Sequence, residues 1–281
     1  MNSQPHKTFT IFHYRDNKGA LVWSRKIHAL IKNNFSYLRE DSKKPDVVIV
    51  LGGDGTILEA ARKYHELGSM IFGLNLGHVG FLASARKERD FLNALNLFLS
   101  GKYHVLERMM ISAQVLRNKK IIFNSEALNE VVIKNLLGMA ELEVRVSGHP
   151  VASIKGTGIL ISTATGSTAY NLSAHGPVVM PNIKCFIVTE LLDHGIPTPS
   201  IVVKHDNKVS MKVISFKKRG SLSITKTGKK VDVVLSTDGE SIFPLEVGDE
   251  IIVQSSPHLV RFAELEKHYF FKSLEEKFGF K

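Results

Sequence analysis

The sequence predicts an α/β plus all-β protein: an N-terminal Rossmann-like α/β domain, a C-terminal β-sandwich domain, and a final helix packing back on the first domain. Three observations carry this. Strand and helix patterns alternate up to about residue 100. From Tyr103 onward short β-branched segments recur with turn signals between them, and long helical patterns are absent. Helical spacing with mixed charges returns at Lys267 to Phe278. The expected domains are 1–106 with 266–281 for the α/β part, and 107–265 for the all-β part.

Taken in order, Thr8 to His13 alternates loosely and reads as a first strand, and Leu21 to Ile31 has helical spacing. Val47 to Leu51 is the continuous apolar run of a buried parallel strand. Ile57 to Leu67 follows as a helix, Met70 to Leu74 as a strand, and Glu88 to Leu99 as an amphipathic helix stopped by Ser100-Gly101. The β segments are Met110–Leu116, Ile121–Asn124, Asn129–Ile133, Leu142–Val146, Ile159–Ser162, Val209–Ile214, Leu222–Thr225, Val231–Ser236 and Glu250–Gln254.

At 281 residues the chain is long enough for two modest cores, and 43% hydrophobic with 23% charged residues is a globular composition. No apolar run approaches the roughly 20 residues of a membrane span, so no membrane partner is expected. The single cysteine, Cys185, excludes an internal disulfide and reads as a buried small hydrophobe. With no leader pattern at the N-terminus, the expected compartment is the cytoplasm. The net charge of +10 is spread over short clusters with no interleaved aromatics, which argues against a nucleic-acid partner and leaves a field that attracts nucleotides and polyphosphates.

The chemistry begins where Val47–Leu51 ends in Gly52-Gly53-Asp54-Gly55-Thr56. A strand-to-helix turn at the carboxyl edge of a parallel sheet is where open α/β proteins bind ligands. Glycines let the backbone approach a phosphate, and a following helix offers free N–H groups. A carboxylate there repels phosphate, so it needs a task, such as holding a metal or taking a proton from an attacking hydroxyl. Phosphoryl transfer is the first hypothesis. Gly-Gly-Asp-Gly is also ordinary turn chemistry.

A second constellation suits a nucleoside. Asn129-Glu130 opens one strand, and Thr165-Gly166-Ser167-Thr168-Ala169-Tyr170 with Ser173 follows another. Asn129 matches the donor and acceptor of an adenine edge, Glu130 can accept from ribose hydroxyls, and Tyr170 can stack on a base. The twelve histidines show no metal-ligand spacing, so no structural metal is expected, and His78 and His175 are read as loop-satisfying residues.

Together with Gly77-His78-Val79-Gly80-Phe81-Leu82, Leu128-Asn129-Glu130 and Thr237-Asp238-Gly239, these motifs closely resemble the NAD kinase family. The terminal Tyr269-Phe270-Phe271-Lys272-Ser273-Leu274 resembles the family's closing segment. The resemblance is dense over 47–82, 125–181 and from about 231 on, and thin over 1–46 and 183–230. It implies transfer of a phosphoryl group from ATP or polyphosphate to the 2′-hydroxyl of the adenosine ribose of NAD, giving NADP. It also implies a site in the cleft between the domains, Mg²⁺ or another divalent cation arriving with the donor, and a homodimer or homotetramer.

Residue by residue, the resemblance makes Asp54 the acid–base group beside the accepting hydroxyl. Gly52, Gly53, Gly55 and Thr56 form its turn, with Gly55 approaching the ligand through its backbone. Phe81 walls the adenine site, and Asn129 and Glu130 hold adenosine and ribose groups. Thr165, Thr168, Ala169, Tyr170 and Ser173 build the nucleoside pocket, with Lys155, Thr157 and Glu240 near the dinucleotide. Three positions depart from the family pattern: Thr157 stands where an Asp is common, Glu240 replaces a frequent Gln, and Ile196-Pro197-Thr198-Pro199 lacks a common Arg. Competing readings are a lipid or other small-molecule kinase sharing the Gly-Gly-Asp-Gly turn, a dinucleotide-binding regulator with decayed catalysis, and a nucleic-acid binder.

Overall fold

The computed structural model describes residues 6–78, 80–193, 198–218, 222–223 and 230–279. The chain divides into two compact units. One holds the residues up to Arg108 and those from His258 on; the other holds Met109–Pro257.

In the first unit β1 (Thr8–Phe12), α1 (Lys18–Asn34), β2 (Arg39–Glu40), β3 (Val47–Gly52), α2 (Asp54–Tyr64), β4 (Met70–Asn75) and α3 (Phe91–Leu99) follow one another. β5 (His104–Arg117) then leads into the second unit. The first unit's strands are parallel, in the order β2-β1-β3-β4, and the last strand of the chain returns to pair Arg261 and Phe262 with Met70 and Ile71. Every residue of β3 and β4 is buried, as parallel strands covered on both faces require. On one face Val47, Ile49, Leu51, Phe72 and Leu74 meet Ile27 and Ile31 of α1 and Phe91, Leu95 and Phe98 of α3. The Phe72 and Phe98 rings stack 4.3 Å apart. On the other face α2 sits so close to β4 that a Cβ on Gly73 would meet Ile57 at 2.7 Å.

In the second unit the strands pair antiparallel wherever the described residues show a register. Its elements are β6 (Lys120–Ala127), β7 (Glu130–Asn135), β8 (Ala140–Val146), β9 (His149–Thr163), α4 (Tyr170–Ser173), β10 (Cys185–Asp193), β11 (Ile201–Lys204), β12 (Val209–Phe216), β13 (Leu222–Ser223), β14 (Lys230–Val231), β15 (Val233–Thr237) and β16 (Ser241–Pro244). β9 is the spine: one edge pairs with β8 and then with β7, and the other edge takes β10 over Gly156–Thr163. Cys185 opens β10, buried against Ala164 and Ile187, and burial pushes its thiol pKa up.

β17 (Glu250–Glu264) runs from the second unit into the first, and α5 (Tyr269–Phe278) closes the chain. The final helix packs on the first unit, as the sequence predicts. The Arg86 guanidinium donates to the Tyr269 carbonyl at 2.7 Å and to Ser273 Oγ at 2.8 Å, and pairs with Glu276 at 2.8 Å.

Candidate functional site

In the first unit the site grows from the end of β3. Gly53 caps α2 without a side chain, and Asp54 is the first helical residue. The N–H groups of a first helical turn have no intrahelical acceptor, so they are available to an anion. The glycines of this turn divide into two kinds. A Cβ on Gly52 would lie 2.4 Å from Thr56 Oγ1, so packing within the protein demands glycine there. At Gly53 and Gly55 a Cβ would meet nothing within 4 Å, and Gly53 has a φ of −85° that any residue adopts. Packing does not require glycine at those two positions; they leave a bare backbone open to a ligand.

Asp54 is held from across the sheet end. Its Oδ2 accepts from the Phe81 amide at 2.7 Å and its Oδ1 from the Leu82 amide at 3.2 Å. Gly80 makes this possible, because a Cβ there would fall 2.1 Å from Asp54 Oδ1. The Asn75 side chain ties the preceding turn, accepting from the Gly77 amide and donating to the Gly77 and His78 carbonyls. The two amides fix the carboxylate's orientation and leave it further acceptor sites, enough for a hydroxyl. The Phe81 ring is buried, facing Phe270 and Phe278 of α5 with the Lys277 ammonium 5.0 Å from its centroid. It is the Phe81 backbone, not its ring, that reaches Asp54.

In the second unit Asp238 organises the Asn129-Glu130 segment. It sits at the β15–β16 turn with φ +49°, and its carboxylate accepts from the amides of Leu128 at 2.9 Å, Asn129 at 2.8 Å and Glu130 at 3.1 Å. Thr163 adds a bond from Oγ1 to the Leu128 carbonyl and one from its amide to the Asn129 carbonyl. The backbone is thereby fixed while the Asn129 side chain stays half-buried.

Glu130 is buried, and its Oε2 has no hydrogen-bond partner among the described residues. Burial first, and then the neighbouring Asp238 charge, push its carboxyl from 4.5 up to about 8. At neutral pH it therefore carries a proton and can donate as well as accept. Between about pH 4.5 and 8 the folded chain holds a proton that the unfolded chain has released, so stability falls as pH rises through that window. Glu130→Gln is expected to flatten this fall and to exceed the parent's stability at pH 8 by about 4 kcal/mol. Urea unfolding at pH 5 and pH 8 checks this; equal pH slopes for the two proteins would contradict it.

A cavity of about 550 Å³ in the second unit is lined by Thr157, Tyr170, Ser173, Glu190 and Pro199, among others, a size suited to a nucleoside. Tyr170 packs on Val132, Leu160 and Leu191. Of the residues expected to bind the nucleotide, the structure brings Thr157, Tyr170 and Ser173 together here, with His175, Thr198 and Pro199 beside them. Thr165 is buried in the turn before α4, where its carbonyl accepts from Thr168 Oγ1 at 3.4 Å, and Ala169 turns the chain into α4. Ser167 is fully buried, donating to the Ala164 carbonyl at 2.7 Å, and fastens the loop. Lys155 is exposed on β9 and pairs with Glu141 at 3.4 Å, and Glu240 is exposed at the β15–β16 turn. Neither lines this cavity. Val79, Ile196 and Pro197 lie outside the described residues.

Asp238 stands in the sequence only as part of the Thr237-Asp238-Gly239 motif, with no role of its own, and Arg108 is not picked out there at all. Nothing local in that motif assigns Asp238 a partner, because its three amide partners lie more than 100 positions away. Arg108 is buried, with its guanidinium 3.2 Å from the Phe81 carbonyl.

Comparison with known proteins places this architecture. Residues 15–103 match the ATP-NAD kinase N-terminal domain, and residues 128–265 the ATP-NAD kinase C-terminal domain. These matches define a two-domain phosphotransferase. An NAD kinase of Natranaerobius thermophilus is 36% identical over 234 residues, 83% of this chain and 77% of its own length. One of Lachnoclostridium phytofermentans is 31% identical over 279 residues, 97% of this chain and 93% of its own. The chain belongs to the NAD kinase family. Among solved structures, yeast NADH kinase complexed with NADH is similar with a TM-score of 0.84 at 18% identity, covering 99% of this chain and 89% of that one. An Archaeoglobus fulgidus NAD kinase in complex with ATP gives 0.74 at 22% identity, covering 96% and 98%.

Proposed function

We propose that this chain transfers the terminal phosphoryl group of ATP to the 2′-hydroxyl of the adenosine ribose of NAD, giving NADP and ADP, with Asp54 as the catalytic carboxylate. The observation that carries the assignment is the Asp54 carboxylate, gripped by two backbone amides beside glycines that packing leaves bare. A carboxylate is far too weak a base to deprotonate a ribose hydroxyl outright. Phosphoryl transfer passes through a loose transition state and needs little proton removal early. Asp54 accepts the hydroxyl's hydrogen bond, aims its oxygen at the phosphorus, and collects the proton late. The bare backbone of the Gly53–Gly55 turn gives the phosphates room and donors.

In the second unit Asn129 and a protonated Glu130 hold base and ribose groups, and Tyr170, Ser173 and Thr157 line the nucleoside cavity. Thr165, Thr168 and Ala169 shape the approach to it, while Lys155 and Glu240 serve the dinucleotide's periphery. A divalent cation, in our reading Mg²⁺, fits as a ligand of the donor's phosphate oxygens and water, and supplies charge neutralisation there. The Gly52–Thr56 turn contains a single carboxylate, Asp54, which suits a cation delivered with the nucleotide rather than held in a protein cage. We further place the protein in the cytoplasm as a homodimer or homotetramer.

NADP formation from NAD with ATP and Mg²⁺, run beside polyphosphate as donor, tests the reading. Turnover with ATP is expected. Measurable NAD binding with no turnover from either donor would overturn it in favour of a dinucleotide-binding regulator.

A further inference from the structure

Arg108 is a buried cation that the mechanism above does not use. It lies in β5, 3% exposed, its guanidinium 5.0 Å from the Phe262 ring and 4.0 Å from the Glu264 carboxylate, and its Nε has no partner among the described residues. Burying a guanidinium is costly, and an apolar side chain of similar volume would fill the space with less penalty. Among the described residues its one close donation, at 3.2 Å, goes to the carbonyl oxygen of Phe81.

That carbonyl belongs to the same peptide group as the Leu82 N–H, which donates to Asp54 Oδ1. The order is therefore Arg108 guanidinium, Phe81 carbonyl, Leu82 N–H, Asp54 carboxylate. A cation donating to a carbonyl polarises its peptide and strengthens the N–H at the far end. The same bond pins the 80–82 turn, where Gly80 lets the chain lie against the carboxylate.

We infer that Arg108 is a positioning residue for phosphoryl transfer, acting on Asp54 through the single peptide group that joins Phe81 to Leu82. This rests on the reading of Asp54 as the catalytic carboxylate. Arg108 touches neither substrate; it sets the orientation and hydrogen bonding of the group that does. Loss of that control lowers the rate of the chemical step and leaves substrate binding in place.

The test compares Arg108→Met and Arg108→Lys in the full-length protein, with Asp54→Asn as control. Arg108→Met is expected to lower kcat by about ten- to a hundredfold with KM for NAD and ATP within about twofold. Arg108→Lys keeps a buried cation and is expected to recover most of the loss. The Leu82 amide proton resonance reads the same link directly. It should move upfield in Arg108→Met and less so in Arg108→Lys, reporting a weaker bond to Asp54. If Arg108→Met fails to fold, the Leu82 resonance in Arg108→Lys still decides: an upfield move supports the inference, and an unmoved resonance overturns it. An unchanged kcat in Arg108→Met with an unmoved Leu82 resonance overturns the inference, as does a loss confined to KM. An active Asp54→Asn protein would instead overturn the assignment of Asp54 itself.

Discussion

Asp54→Asn is expected to retain NAD binding and to lose turnover by about a hundred- to ten-thousandfold, the usual worth of a positioned acid–base group. The asparagine oxygen can accept from one of the two amides at Phe81 and Leu82, but its NH₂ group must then face the other, leaving one donor without an acceptor. The same substitution should therefore lower stability by about 1–3 kcal/mol. Steady-state kinetics, NAD titration and urea unfolding on one preparation separate the three effects. A variant that turns over NAD like the parent would show that the carboxylate at this turn is structural.

Asp238→Asn should have the largest effect in the second unit. Asparagine tolerates the left-handed backbone at φ +49°, so the turn itself survives. The carboxylate's three acceptances cannot all survive: one oxygen takes the Asn129 and Glu130 amides and the other the Leu128 amide, and an asparagine cannot present acceptors on both arms. A loss of about 2–4 kcal/mol is expected, together with weaker NAD binding as the Asn129-Glu130 backbone loosens. A second signature follows from charge. The Asp238 carboxylate is one cause of the raised Glu130 pKa, so its neutralisation should bring that pKa down from about 8. A variant with unchanged stability and an unchanged Glu130 titration would refute the role given to Asp238.

Much of the fold was legible in the sequence, because periodicity and turn chemistry are local. The continuous run Val47–Leu51 and the glycines after it announce β3 and the start of α2, and Lys267 to Phe278 announces α5 to within two residues at its start. Where the signal was mixed, the reading shortened the element. Ser255-Ser256-Pro257-His258 resembles a turn, yet β17 runs through it to Glu264, held by its neighbours rather than by propensity. The sequence analysis predicts no strand at β10 or β11, although they pair along Cys185–Val188 with Ile201–Lys204.

The candidate site was legible as residue types, not as contacts. Gly-Gly-Asp-Gly names a carboxylate in a phosphate turn, but nothing local says that Phe81 and Leu82, 27 and 28 positions away, supply its donors. Asn129-Glu130 names nucleoside chemistry, but the burial that protonates Glu130 is a tertiary property. The buried Arg108 sits between Glu107 and Met109 in an ordinary strand pattern, and only the fold distinguishes it from an exposed cation.

The buried Cys185 has a practical consequence. As the chain's single thiol, seated at the first residue of β10, it makes the second unit its own reporter of opening. A thiol reagent added to the native protein can react only as fast as β10 leaves its neighbours, so the labelling rate measures local unfolding without any engineered probe. Variants of Asp238 and Glu130 can be ranked on that scale whether or not they retain activity.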